Sequence, residues 1–279
     1  MKKLVSFALL LVVSIVLAAC GTDNSNSNGA GDKEEPKKLV IGASNVPHAE
    51  ILEEALPLLE KKGIELEIKP FQDYVLPNKA LDEKELDANY FQHIPYLESQ
   101  KKEHGYDFVN AGGIHIEPIG IYSKKHKKLE ELPKGATIIM SSSVADHGRA
   151  LSMLEANGLI TLKEGIDKTT ATVKDVAENK KNLKFKTDIE ASLLTQVYEN
   201  NEGDAVLINS NYAIDAGLNP VKDSIAIEDS NSPYVNVIAV RKGDENKEEI
   251  KALVETLRSK EIQDFIKKEY KGAVVPVSE

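Results

Sequence analysis

The chain has 279 residues, with 35 basic and 45 acidic side chains and a formal net charge of −10 at pH 7. This acidic balance makes it a poor candidate for binding nucleic acid or an anionic lipid surface. The one cysteine, Cys20, has no partner for an internal disulfide, so the fold must be stable without one. A globular part of roughly 240 residues suits one large domain or two modest ones.

The first 19 residues have the pattern of a secretory signal peptide. Two lysines precede an apolar segment, which ends in Leu17-Ala18-Ala19-Cys20. This ending resembles the lipobox of bacterial lipoproteins, in which the cysteine becomes the mature N-terminus and carries lipid, palmitate included. We therefore predict that Cys20 is lipidated and anchors the protein at the cell membrane, facing outside the cytoplasm. The alternative is an ordinary signal peptide with an incidental cysteine.

Residues 20–36 are predicted to form a flexible tether. They are rich in Asn, Ser, Gly, Asp and Glu, and Ala30 is the one apolar side chain after the cysteine. A segment of this composition cannot bury a hydrophobic core. No later apolar run is long enough to cross a bilayer, so the predicted contact with the membrane is made through the N-terminal lipid.

The globular part begins with a β-α-β pattern. Residues 38–42 are an apolar run that ends in a glycine, and residues 64–68 alternate between apolar and acidic side chains, as strands do. Between them, residues 48–62 carry apolar side chains at the spacing of one helix face. This order predicts a parallel sheet with helices on its faces.

Residues 87–96 concentrate three aromatic rings and one imidazole in a chain that has no tryptophan. Pro95 fits the first turn of a helix. This placement puts the preceding rings on a strand-to-helix loop, where open α/β sheets bind ligands. Together with Tyr74, the rings of Phe91 and Tyr96 suit an apolar ligand side chain, including one that contains sulfur. The alternative is that these rings pack in the core beneath the helix.

A second α/β unit and a return segment complete the pattern. We predict strands at residues 108–109, 114–122, 136–140, 183–186, 204–208 and 234–241, and helices at residues 189–198, 245–258 and 261–270. The strands at 114–122 and 234–241 are candidates to cross between lobes. The predicted fold is therefore α/β with two lobes and a cleft, in which residues 37–118 and 237–279 form lobe I and residues 119–236 form lobe II.

The sequence lacks the motifs of the common enzyme classes. It has no G-x-S-x-G, no H-E-x-x-H, no phosphate-binding loop and no G-x-G-x-x-G after a strand. We therefore predict that the protein is not an enzyme and holds no cofactor. An alternative function is an exported metal-binding lipoprotein that uses His48, His93 and His115, assembled from distant segments.

Three polar residues suit the binding of a zwitterion. Arg149 is predicted just inside a helix start, where its guanidinium and the free N–H groups of the helix favour a carboxylate. Asn209 and Asn236 are predicted at the end of one strand and within another. A carboxamide can donate to a carboxylate and accept from an ammonium group. The alternatives are a surface salt bridge for the arginine and turn or edge positions for the two amides.

Several of these segments together resemble the NlpA family, the methionine-binding lipoproteins of bacterial ABC importers. The segments that carry the resemblance are residues 76–81, 87–97, 148–151, 209–213 and 234–241. The run Asn-Tyr-Phe-Gln-His within the second of them is the most specific. The likeness covers the whole predicted globular part and includes the lipobox.

The resemblance implies a periplasmic-binding-protein-like fold of two lobes, each a mixed or parallel sheet flanked by helices, with the ligand in the cleft. It also implies that the protein captures L-methionine and delivers it to an ABC permease that is driven by a separate ATPase. The residues that match the family's ligand site are Tyr74, Phe91, His93 and Tyr96 around the thioether, Arg149 on the carboxylate, and Asn209 and Asn236 on the head group. The region of residue 236 is expected near the hinge.

Residues 140–147 depart from the resemblance. The family usually has a Pro-Asn-Asp-like turn ahead of the clamp arginine, whereas this chain has Met-Ser-Ser-Ser-Val-Ala-Asp-His. Because Arg149 is retained, we expect binding of the α-carboxylate to be retained as well. The departure leaves the choice among L-methionine, D-methionine and a methionine-containing dipeptide open.

Overall fold

The structure is a computed structural model that describes residues 35–277. The predicted signal peptide, most of the predicted tether and the predicted lipidation site, Cys20, lie outside these residues. Between residues 35 and 277, no helix is both long enough and apolar enough to span a membrane.

Strands and helices alternate along the described chain. The first part contains β1 Lys37–Ser44, α1 Glu50–Glu60, β2 Ile64–Phe71, α2 Leu76–Asp82, β3 Ala88–His93, α3 Ile94–His104 and β4 Phe108–Ile116. The middle part contains β5 Gly120–Tyr122, β6 Thr137–Ser141, α4 Val144–Ala156, β7 Ile160–Leu162, β8 Val176–Asn179, β9 Lys184–Ile189, α5 Leu194–Glu199, β10 Ala205–Ile208, α6 Ser210–Asp215, α7 Pro220–Asp223 and β11 Ala226–Ile227. The last part contains β12 Val235–Arg241, α8 Glu248–Leu257, α9 Lys260–Tyr270 and β13 Val275–Pro276.

The first and last parts form one six-stranded sheet, in the order β13-β4-β12-β3-β1-β2. Strand β1 pairs in parallel with both β2 and β3, which confirms the predicted β-α-β opening. Strand β12 runs antiparallel between β3 and β4. The apolar faces of α1, α8 and α9 share one hydrophobic core with this sheet, including Ile41, Leu52, Ile238, Leu253 and Ile266. Burial of such side chains is the main favourable contribution to the fold.

The middle part forms a five-stranded sheet, in the order β11-β5-β10-β6-β9. Strands β9 and β10 are parallel to β6, whereas β5 is antiparallel to β10 and β11. Helix α4 contributes Leu151 and Leu154 to a second core with Ile138 and Leu207. Strands β7 and β8, which pair only with each other, were not predicted, because three or four residues are too few to show a period.

The chain leaves the six-stranded sheet after Ile116 and returns to it at Val235. The prediction of one strand at residues 114–122 is therefore wrong, because β4 ends and β5 begins within that range. Pro118 lies in the break, and a proline has no N–H group to donate to a sheet. The predicted strand at residues 234–241 is confirmed as β12.

The rings of residues 87–96 were expected on a loop, and this expectation is wrong for the three that lie before the helix, Tyr90 among them. Phe91 and His93 belong to β3, where His93 pairs in register with Asn236 of β12. Pro95 does lie in the first turn of α3, as predicted. The strand continues to the start of the helix because β12 provides a partner for its last residues.

Helix α4 approaches a neighbouring turn very closely at Gly148. A Cβ atom at this position would lie 2.1 Å from the backbone oxygen of Lys168 and 2.9 Å from that of Thr169. Because both obstacles are backbone atoms, they cannot rotate away as a side chain would. Only a glycine therefore allows this packing of the helix against the 3-10 turn Lys168–Thr170.

We expect the substitution Gly148→Ala to destabilise the fold by about 1–3 kcal/mol, because the added methyl group forces the helix and the turn apart. The measurement is urea unfolding without ligand. Ser152→Ala, one turn later in the same helix, is the control and should change the free energy of unfolding by less than about 0.5 kcal/mol. Equal stabilities of the two variants would show that the turn moves freely.

Candidate ligand-binding site

A cluster of aromatic side chains joins elements of the two sheets. Tyr74 follows β2, Phe91 lies on β3 and Tyr96 on α3, and their ring centroids are 5.8–6.1 Å apart. The hydroxyl of Tyr96 donates to the backbone oxygen of Tyr74 at 3.0 Å. Ala145 of α4 packs against the rings from the second sheet. The structure therefore brings together three predicted ligand residues in one apolar wall.

Further hydrogen bonds connect this wall to helix α6. The hydroxyl of Tyr74 donates to Oδ1 of Asn211 at 2.6 Å. The ring of Tyr212 lies 5.0 Å from that of Tyr74, and its hydroxyl donates to the backbone oxygen of Gln72 at 3.2 Å. Segments of both sheets are therefore in direct contact on this side of the site.

The carboxylate of Asp146 contacts three other predicted ligand residues. Nε2 of His93 is 3.1 Å from its Oδ1, and Nδ2 of Asn209 donates to its Oδ2 at 3.2 Å. Nη1 of Arg149 is 3.9 Å from Oδ1. Asp146 was not among the predicted ligand residues, although a position three residues before an arginine on a helix lies on the same face and could have indicated it.

Asp146 is only 1% exposed. Burial alone would raise its pKa, but the hydrogen bond from His93, the charges of His93 and Arg149, and the hydrogen bond from Asn209 hold the pKa below its usual value. The carboxylate is therefore ionised at neutral pH, and it accepts hydrogen bonds rather than donating them.

The guanidinium of Arg149 is buried among partners that fix its position. Nη2 donates to the backbone oxygen of Glu117 at 2.7 Å and to the carboxylate of Glu228. The group lies 4.5 Å from the centre of the Tyr234 ring. Burial would lower the pKa of Arg149, but the charges of Glu228 and Asp146 raise it above its usual value. A permanent positive charge is thus held inside the protein.

One detail of the predicted arginine site is wrong. Helix α4 begins at Val144, so Arg149 lies in its second turn and not just inside its start. The strand before it, β6, ends at Ser141, and the short connection lets the helix begin earlier than the sequence pattern indicated. The backbone N–H groups beside residue 149 are therefore not among the free N–H groups of the first turn.

Asn236 lies next to a buried pair of histidines. Oδ1 of Asn236 is 3.1 Å from Nε2 of His48. The same Nε2 is 3.2 Å from Oε1 of Glu117, and Nε2 of His115 is 2.8 Å from that oxygen. The hydroxyl of Tyr90 bonds to Nδ1 of His115. Glu117 is thus surrounded by hydrogen-bond donors.

The two histidines are neutral at pH 7. Burial lowers the pKa of His48 to about 4, against the opposing charge of Glu117, and it lowers the pKa of His115 to about 3. Burial also raises the pKa of Glu117, and the charge of Arg149 opposes this rise. A neutral imidazole donates from one ring nitrogen only, so these contacts assign the N–H of each ring to Nε2.

The alternative metal site is only partly assembled. His48 and His115 lie together, with potential ligand atoms within 4.8 Å of one another, but their third partner is Glu117. His93, the third predicted ligand, is instead hydrogen-bonded to Asp146. The contacts of both histidines with the carboxylate of Glu117 also explain why these three side chains lie together, without a metal ion.

Among the side chains that contact Asp146, two buried polar atoms have no hydrogen-bond partner within residues 35–277. They are Nε of Arg149, a donor, and Oδ1 of Asn209, an acceptor. Both residues contact Asp146. Leaving a buried polar atom unpaired costs about 1–3 kcal/mol. A ligand with an acceptor for Nε of Arg149 and a donor for Oδ1 of Asn209 would remove both costs, and its binding would be favoured accordingly.

Two α/β lobes with a buried polar and aromatic set between them define a substrate-binding protein of the two-lobed type. The chain belongs to the NlpA lipoprotein family, whose sequence profile matches residues 39–278. It is 55% identical to the methionine-binding lipoprotein MetQ of Bacillus subtilis over 281 aligned positions, which cover all of both chains.

Two solved structures are also similar. A putative methionine-binding lipoprotein from Bacillus subtilis superimposes with a TM-score of 0.85 and 56% identity, over 87% of this chain and 99% of that one. A nutrient-binding protein from Burkholderia cenocepacia, solved bound to methionine, gives a TM-score of 0.80 and 44% identity, over 85% of this chain and 99% of the other.

These likenesses confirm the predicted family and the predicted two-lobed α/β fold. They also confirm that the protein is not an enzyme, because the family consists of substrate-binding lipoproteins. The exact lobe boundaries and the roles of the seven ligand residues remain predictions.

The buried histidines predict a dependence of stability on pH. In the unfolded chain, both histidines become protonated as the pH falls below their ordinary pKa of 6.5. In the folded chain, His48 stays neutral down to about pH 4 and His115 down to about pH 3. The free energy of unfolding should therefore fall on going from about pH 7 to about pH 5, on the order of 1–2 kcal/mol for each histidine. The raised pKa of Glu117 acts in the opposite direction, so the comparison must be made between variants.

Urea unfolding at both pH values measures this effect. His115→Asn should lose part of the pH dependence, whereas His104→Asn, which changes an exposed histidine, should keep the dependence of the parent. The same loss in both variants would contradict the assignment to the buried ring.

Proposed function

We propose that this protein captures methionine outside the cytoplasm and delivers it to an ABC permease that is driven by a separate ATPase. Two relatives support methionine as the ligand: the one from Bacillus subtilis is a methionine-binding lipoprotein, and the one from Burkholderia cenocepacia was solved bound to methionine. The family supports the transport role.

The observation that carries the proposal is the pair of unpaired atoms at the site. Nε of Arg149 can donate to the α-carboxylate of an amino acid, and Oδ1 of Asn209 can accept from its ammonium group. The charge of the guanidinium strengthens the first of these hydrogen bonds. A zwitterion thus supplies both missing partners at once.

Asn236 complements Asn209 in this proposal. The hydrogen bond from His48 uses its Oδ1. Because the imidazole donates from Nε2, the amide oxygen must face the ring, and the amide nitrogen keeps its two hydrogens for other acceptors. In the proposed complex, Asn236 donates to the ligand carboxylate, while Asn209 accepts from the ammonium group.

The thioether side chain is proposed to lie against Tyr74, Phe91, His93 and Tyr96. Sulfur makes favourable contacts with the edges of aromatic rings, at about 5 Å. Three of these side chains form one ring cluster, and the ring of His93 lies 6.2 Å from that of Tyr96. This wall would accept an unbranched apolar chain more readily than a charged one.

The lobe division and the anchoring are proposed as the sequence predicted them. The membership of β5, β6, β9, β10 and β11 in a separate sheet supports a lobe II of residues 119–236. The two chain segments between the sheets, which include Glu117 and Tyr234, are the proposed hinge. We propose that lipid on Cys20 holds the protein at the membrane, as the lipoprotein family indicates.

Thermal unfolding of ligand-stripped protein tests the function against the metal alternative. L-methionine at a hundred times its dissociation constant should stabilise the fold by about 2.7 kcal/mol, and zinc chloride should not. The same assay with D-methionine and a methionine dipeptide ranks these ligands. Stabilisation by zinc alone would favour the site of His48, His115 and Glu117. Mass spectrometry of small molecules released on denaturation provides an independent check.

The clamp role of Arg149 predicts a large loss of affinity in Arg149→Gln. Removing a buried, charge-assisted contact should weaken L-methionine binding by about 2–4 kcal/mol in calorimetric titration. Arg149→Lys keeps the charge but not the planar group, and it should lose less affinity. Arg258→Gln, outside the site, is the control and should bind as the parent does. Parent-like binding by Arg149→Gln would exclude the proposed clamp.

A further inference from the structure

Asp146 contacts Arg149, Asn209 and His93 at the same time. We propose that Asp146 is a positioning residue that makes the site selective for ligands with an α-ammonium group. Its carboxylate turns the amide of Asn209 so that the oxygen is presented to the ligand, and it adds a buried negative charge to the same part of the site. This inference rests on the proposed function and assigns a determinant of specificity within it.

The orientation of the Asn209 amide depends on Asp146. Its Nδ2 donates to Oδ2 of Asp146 at 3.2 Å. An ionised carboxylate can only accept, so turning the amide over would place two oxygens against each other. The orientation is therefore set by Asp146, and it leaves Oδ1 of Asn209 buried and unpaired among the described residues. An ammonium group is a donor with three hydrogens and suits this acceptor.

The balance of charge around Asp146 also favours a cation. The guanidinium of Arg149, which contacts Asp146, is bonded directly to the carboxylate of Glu228. Its distance of 3.9 Å from Oδ1 of Asp146 is too long for a hydrogen bond. Because Glu228 already compensates the guanidinium, the charge of Asp146 remains available to a cation. Opposite charges attract more strongly in a buried site than in water.

The place of Asp146 on helix α4 connects it to the other parts of the proposed site. Ala145, next to it, packs against the aromatic wall, and Arg149 lies three residues further on. One stretch of helix therefore carries a contact to the proposed thioether wall, the proposed ammonium determinant and the carboxylate clamp. The hydroxyl of Ser141 at 3.4 Å and Nε2 of His93 at 3.1 Å hold the carboxylate in place.

The test compares L-methionine with its desamino analogue, 4-(methylthio)butanoate, by calorimetric titration of the ligand-stripped full chain. The two ligands share the thioether and the carboxylate and differ in the ammonium group. The parent should prefer methionine. In Asp146→Asn, this preference should fall at least about tenfold, mainly through weaker binding of methionine, because the charge is lost and the amide of Asn209 is free to turn over.

Glu228→Gln is the matched control, because it removes a carboxylate from the same cluster. Glu228 contacts Arg149, which is proposed to bind the carboxylate that both ligands share. Glu228→Gln should therefore change the affinities for methionine and for the analogue by a similar factor and keep the preference for methionine. If Asp146→Asn kept the parent's preference, or if both variants lost it equally, the proposal would be overturned.

A second variant covers the case in which Asp146→Asn does not fold. Asn209→Ala removes the acceptor itself and should lose the preference for methionine to a similar degree. Where all variants fold, the double variant should lose little more than either single one, because the two residues act as a unit. A parent protein that binds the analogue as tightly as methionine would overturn the inference alone, whereas one that binds neither would overturn the proposed function as well.

Discussion

The structure depends on the burial of charged groups between its two sheets. Removing an ion from water costs several kcal/mol, and the cost is tolerated only where partners surround the charge. Here Arg149 is compensated by Glu228 and flanked by Asp146, and Glu117 accepts hydrogen bonds from two neutral histidines. These side chains contact one another, so the position of each depends on the positions of its neighbours, and they form one connected network.

This network also connects ligand binding to the two lobes. Tyr74 and Phe91 belong to segments of the six-stranded sheet, whereas Asp146 and Asn209 come from segments of the other sheet. A ligand that fills the space between them interacts favourably with both sets only when the lobes are together. Under the proposed function, binding would therefore favour the closed arrangement by the difference in interaction energy between the two states. Such a difference is what a permease could recognise.

Much of the fold followed from patterns along the chain. The β-α-β opening, the apolar face of α1 and the strong strand β12 have clear periods, and tertiary packing did not override them. The errors arose where a local signal competed with a distant partner. The rings before Pro95 were expected on a loop, but pairing with β12 extends β3 to the start of the helix. No local pattern reports the presence of a strand nearly 150 residues away.

The sequence by itself determined the family, the α/β class and the residue types that suit a zwitterion with an apolar side chain. These depend on short motifs and on periodicity, which are local properties of the chain. The tertiary structure alone decided which charges meet. Glu117 and Glu228 gained their places because chain segments far apart in sequence bury them beside Arg149, and distant segments likewise bring His93 and Asn209 to Asp146. The electrostatic energy of a charge depends on distance in space and on exclusion of water, and neither quantity can be read along a chain.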